Sequence, residues 1–211
     1  MDVHPPHSPI HSVKQFMVHL LAITIGLLIA LGLESSVEWL HHRHLARDAR
    51  ENILQEIRAN QQDVFRQLNA LPAEEKRLDE ILALVNDAQL GRSHKPVGDF
   101  NWTSILLRDS AWNAASSTSA IAFMNYSEVK RYSQLYALQK IYGSLLERNL
   151  KERHEMHVFL ERMNDQGKLS DAEFESGKRT ILSEKLTELE YREMDNILKE
   201  SYAGLLSQGN E

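Results

Sequence analysis

Phe16 to Leu33 reads FMVHLLAITIGLLIALGL, an unbroken run of 18 residues in which His19 is the single ionisable group. No other feature limits what this chain can become as strongly. A bilayer core of about 30 Å is crossed by roughly 20 helical residues, each rising about 1.5 Å. Extended through Trp39 to Leu40, the stretch reaches 25 residues. Phe16 and Trp39 stand at its two ends, where interfacial aromatics are found. Two other readings compete. A signal peptide cut after Ala30-Leu31-Gly32 would need a basic leader, and only Lys14 is basic upstream. A fully buried core helix of a soluble protein rarely carries so long an apolar run. The expectation is an uncleaved membrane helix over 16–40, preceded by a disordered tail over 1–15 that carries Pro5, Pro6 and Pro9.

Orientation follows from the bases near the two ends. Residues 1–15 hold one, Lys14, whereas residues 41–60 hold Arg43, Arg47, Arg50 and Arg58. This asymmetry predicts a C-terminal portion in the cytoplasm, although Asp48, Glu51 and Glu56 are interspersed. Within the span, Ala22, Gly26 and Ala30 recur every four residues and share one helical face. Small residues there let two helices approach closely, so this is the candidate helix-dimer face. The alternative is the ordinary abundance of Gly and Ala in membrane helices. Glu34 and Glu38 are expected at headgroup depth beside His41, His42 and Arg43, not as proton carriers.

Beyond the span the chain reads as helix. Gly accounts for 9 residues, and only Pro72 and Pro96 follow Arg43. A soluble helical bundle is expected over 41–211, with helices over roughly 41–71, 73–90, 103–123, 126–163 and 170–207. Ala46, Arg50, Ile53, Ile57, Gln61, Val64, Leu68 and Leu71 form a coiled-coil-like seam, the expected contact of the first soluble helix with a second copy. Pro72 either kinks the first helix or reverses it. Asn125 with Glu128, and Ser170 with Glu173, have capping-box spacing. The last helix carries Phe174, Ile181, Leu182, Leu186, Leu189, Met194, Ile197, Leu198, Tyr202 and Leu205 as its expected seam. The two final helices have similar lengths and a short connection, which predicts an antiparallel hairpin. The fold class is therefore all-α: one membrane helix continuing into an elongated antiparallel bundle.

The seven small residues Ala114 to Ala120 permit a close helix crossing or admit a ligand. Trp112, Ser116, Ser119 and Tyr132 are the candidate residues of that region.

Catalytic signatures are not evident. The chain has no Cys, no phosphate-binding glycine loop and no H-E-x-x-H. Glu38 and His41 make one Glu-x-x-His pair, but a di-iron bundle needs two. No catalytic, cofactor or metal residues are assigned, and no cofactor is expected. The net charge of −6 and the interleaving of acids with bases argue against nucleic acid as a partner. The expected partners are the lipid bilayer, a second copy through the membrane helix and the first soluble helix, and an unidentified protein.

Ile23 to Leu31, followed by Glu34 and Trp39, resembles the anchor of a group of uncharacterised small bacterial membrane proteins. These have an I-G-x-L-I-A-L membrane helix, a charged helix after it and a helical C-terminal region. Trp112-Asn113-Ala114-Ala115, Met124 and Glu128 to Tyr132 are also similar to that group. The resemblance implies a bacterial inner-membrane protein and brings no activity with it. The resulting expectation is a non-enzymatic interaction or scaffold protein. The alternative is a sensory module with a small ligand between its helices.

Overall fold

The computed structural model describes residues 13–93, 95–98, 102–166 and 169–208. The expected tail therefore lies almost wholly outside the described residues. The protein is all-α: α1 (Val13–Gln89), α2 (Ser110–Ser117), a 3₁₀ turn (Ala120–Phe123), α3 (Tyr126–Gln166) and α4 (Asp171–Gln208). The chain divides into two compact units after Asp48.

In the first unit, α1 presents its apolar side chains to the outside on every face as far as Leu40. Leu20, Ile23, Leu27, Leu28 and Leu31 are all exposed. The segment is long and apolar enough to cross a membrane, and none of that window is buried. Two of its hydroxyls bond back along the helix, Thr24 Oγ1 to the Leu20 carbonyl at 2.8 Å and Ser36 Oγ to the Gly32 carbonyl at 2.7 Å. Such bonds satisfy polar groups where no water is at hand. Arg43 lies 5.3 Å over the Trp39 ring.

The second unit is built on three helices. Ion pairs fix their directions. Arg50 meets Glu128 and Glu74 meets Arg153, so α3 runs parallel to α1. Lys185 meets Asp79 and Arg192 meets Glu75, so α4 runs antiparallel to it. Between α3 and α4, Tyr142 packs on Tyr191 and Phe159 on Phe174, which makes the expected antiparallel hairpin. At one end Leu78, Ile81, Val85, Met156, Leu160, Met163, Phe174 and Ile181 form an apolar core. The polar residues described below fill the bundle nearer its middle.

Four local expectations are corrected. Pro72 neither ends nor reverses the helix, because α1 continues to Gln89. Its ring is exposed while Leu71 beside it is fully buried. Water can reach the carbonyl that proline leaves unbonded, and packing outweighs the intrinsic cost of about 3 kcal/mol.

The helix expected over 103–123 is instead a non-helical strap over 102–109, then the short α2 and the 3₁₀ turn. The strap descends from Glu74 to Glu56, a distance of about 27 Å at helical rise. Extended backbone covers that in about eight residues, and a helix would need eighteen.

Glu128 does not close a capping box. Asn125 caps the helix alone by accepting from Ser127 N at 2.9 Å, and Glu128 turns to Arg50. Ser170 and Glu173 do form the reciprocal box. The helix expected to end at 163 continues to Gln166, so Asn164 lies within α3.

Candidate buried charge cluster

The bundle interior is polar where the sequence pattern predicted leucine. Buried positions on α4 run Ile181, Glu184, Glu188, Tyr191, Asp195, Leu198 and Tyr202, an alternating three–four spacing. The leucines assigned to the core, Leu182, Leu186 and Leu189, are exposed at 47%, 63% and 48%, and Ile197 is exposed as well. The helix is rotated so that three acids point inward and three leucines point outward.

Arg153 of α3 explains the rotation. Its Nε donates to Glu184 Oε1 at 2.6 Å. Its Nη2 donates to Glu188 Oε1 at 2.6 Å and to Glu74 Oε2 at 3.1 Å. Its Nη1 reaches Ser104 Oγ of the strap at 3.2 Å, and the Trp102 ring lies 4.6 Å from the guanidinium carbon. Asn149 adds two donations to Glu184, at 2.8 and 2.9 Å. One guanidinium thus joins α1, the strap, α3 and α4. Leucines in these positions would have left it buried with Glu74 as its one bonded carboxylate and its Nε without an acceptor, which is costlier than exposing three leucines.

The strap is held by side chains because it has no ladder of its own. Asn60 Nδ2 donates to the Arg108 carbonyl at 2.8 Å, and Arg108 N donates to Asn60 Oδ1 at 2.9 Å. Asn164 closes the same two-point pair with Val97, at 3.1 and 2.9 Å. Glu74 Oε1 accepts from Thr103 N at 2.8 Å. Glu56 accepts from Ser110 Oγ, Ala111 N and the Tyr136 hydroxyl, at 2.8, 2.9 and 2.7 Å. Each contact gives a partner to a backbone or hydroxyl group that no ladder serves.

Charge is unevenly balanced. Glu74, Glu184, Glu188 and Asp195 are all buried, and Arg153 is the base bonded among them. Burial pushes Glu188 up to about 7. Glu184 is also raised by burial, against the pull of Arg153. Burial, aided by Glu188, raises Asp195 to about 8. Burial would lower the Arg153 guanidinium, but the Glu184 hydrogen bond and the neighbouring carboxylates hold it above its usual value. At the other end of the unit Arg50 grips Glu128 at 2.6 and 2.8 Å. Burial alone would raise Glu128, and Arg50 keeps it below the usual carboxylate range.

The four candidate residues of the small-residue region are dispersed. Trp112 stacks on Tyr136 with ring centres 5.3 Å apart. Tyr132 is buried and its hydroxyl donates to Glu128 at 3.0 Å. Ser116 is exposed and bonds the Trp112 carbonyl at 2.9 Å. Ser119 is exposed and adopts the left-handed conformation, φ 60, ahead of the 3₁₀ turn. Ala115 and Ala120 are the small residues that pack inward. Ala22, Gly26 and Ala30 lie on the exposed surface of the first unit, and a Cβ added at Gly26 would meet nothing within 4 Å.

Among the described residues no three His, Cys, Asp or Glu converge as metal ligands. Compared with family models, curated proteins and solved structures, the chain matches none of them.

The buried acids had one readable signal. Asn60, Gln67 and Glu74 recur every seven residues beside the Ile57, Val64, Leu71 seam. On α4, Glu184, Glu188 and Asp195 fill the gaps of an Ile181, Tyr191, Leu198, Tyr202 heptad. The partner that makes this permissible, Arg153, lies on another helix and carries no local pattern.

Proposed function

We propose that this is a single-pass inner-membrane protein, non-enzymatic, whose helical unit is an interaction module with its C-terminal portion in the cytoplasm. The observation that carries the reading is the inversion of α4. Arg179, Leu182, Leu186, Leu189 and Glu193 form one exposed stripe at heptad spacing. A solvated helix face does not ordinarily present three leucines in line. The fitting occupant is a helix of a protein partner, with a matching apolar stripe, an acid opposite Arg179 and a base opposite Glu193. Self-association through Ala22, Gly26 and Ala30 is the second element of the proposal, supported by the open surface at Gly26.

The chain has no cysteine, so a single Leu186→Cys substitution gives an unambiguous probe. Maleimide labelling is compared between permeabilised native membranes and the purified protein. Protection in membranes and reaction after purification is the expected result. Equal labelling in both would show the stripe to be uncovered and would overturn the interaction reading. A sensory role is the second reading, favoured by the buried Asp195 carboxylate, whose oxygens have no hydrogen-bond donor.

A further inference from the structure

Asp195 is fully buried, and neither of its carboxylate oxygens has a hydrogen-bond partner. The groups around it are themselves acceptors or weak acids. On α4 these are Glu188, Tyr191 and Tyr202, and on α3 Tyr142. From α1, Asp63 acts on Tyr202, and Gln67 is buried with its Oε1 unpartnered. Gln139 Oε1, Asn149 Oδ1, Glu188 Oε2 and the Tyr191 hydroxyl also lack partners. The charge acting on Asp195 is another carboxylate, Glu188, seven residues and about two turns away on the same face. Arg153 is already bonded to Glu74, Glu184 and Glu188.

Buried carboxylate oxygens that no N–H or O–H reaches, both of Asp195 and one of Glu188, call for a cation. The described residues offer no convergence of metal ligands, and a proton is the cation that needs no cavity. We propose that the interior of this bundle is a proton-binding site, in which Asp195 and Glu188 hold protons that the unfolded chain releases, so that the packing of α4 is set by pH. Protonation removes the uncompensated buried charge of each acid and turns it into a donor. Burial raises Asp195 to about 8 and Glu188 to about 7. A carboxyl raised on folding stabilises fully below its unfolded value, and that stability is lost as pH rises through its folded value. The window is therefore about pH 4 to 8. This proposal stands whether or not the leucine stripe meets a partner.

The test uses the full chain in nanodiscs, unfolded by urea at pH 5.5, 6.5, 7.5 and 8.5. Each linked proton lowers the folded-to-unfolded ratio about tenfold per pH unit within its window. The wild type should lose stability as pH rises, and Asp195→Asn, which mimics the neutral acid, should lose about one proton of that slope. A flat or rising wild-type profile, or an unchanged slope in Asp195→Asn, would overturn the proposal. Infrared spectroscopy of the wild type decides independently of whether the variant folds. A protonated-carboxyl band present at pH 6 and lost by pH 9 supports the site, and its absence at pH 6 refutes it.

Discussion

Replacing Arg153 by Met tests the central contact of the bundle. Met has a similar stem and no charge, so the variant keeps most of the packing against Trp102 and removes the bonds to Glu74, Glu184, Glu188 and Ser104. Arg153 is 7% exposed, and Glu184 and Glu188 are fully buried. Three carboxylates would then share a buried space without a base. Removing one partner of a buried pair costs about 3–5 kcal/mol, against a total stability of about 5–15 kcal/mol for a domain. With a urea dependence of about 2 kcal/mol per molar, the unfolding midpoint should fall by roughly 2 M at pH 7. The pH dependence has a definite sign. Losing the guanidinium moves Glu184 and Glu188 further above their ordinary values, so their stabilising protons are lost as pH rises. The loss should be smaller at pH 5 than at pH 8. Far-ultraviolet circular dichroism of the full chain in nanodiscs reads both quantities. A midpoint shift below about 0.5 M at pH 7, or an equal loss at both pH values, would refute the claim that charge balance holds α4 in place. Adding Glu184→Gln and Glu188→Gln to Arg153→Met should recover part of the stability, because neutral amides no longer need the base.

Much of the architecture was legible because it rests on local rules. The apolar run over Phe16–Leu33, the Ser170–Glu173 box and the all-α class follow from hydropathy, capping chemistry and low glycine content. The misread elements depend on partners distant in sequence. Thr103 to Arg108 carry enough helix formers to suggest a helix, yet Glu74 and Asn60 capture the backbone amides of Thr103 and Arg108 from α1. Extended backbone is stable there only because those side chains supply what a ladder would. On α4 the hydrophobic rule alone selects Leu182, Leu186 and Leu189 as core. A buried arginine 31 residues before Glu184 reverses that choice. Pro72 shows the same dependence: its local cost is real, and the packing of Leu71 and Leu78 on either side keeps the helix intact.

Two further substitutions probe how the second unit is held. Asn60→Ala removes both halves of the amide pair with Arg108 and leaves a backbone donor and acceptor unmatched. A loss of about 1–3 kcal/mol is expected, with faster proteolysis confined to the strap and α2; unchanged cleavage there would count against side-chain anchoring of the strap. Gly177→Ala addresses the approach of α4 to α3, because a Cβ at Gly177 would overlap the Phe159 ring. Overpacking of this kind costs typically about 1–3 kcal/mol. The ring is half-buried and edge-on to Phe174, with ring centres 6.4 Å apart, so it cannot swing away without losing that contact. Phe159→Leu in the same chain should recover part of the loss, since the shorter side chain vacates the overlapping volume. Calorimetric midpoints of the two single variants and the double variant decide the matter: additive losses would show that the glycine is required for helix geometry elsewhere and not for this contact.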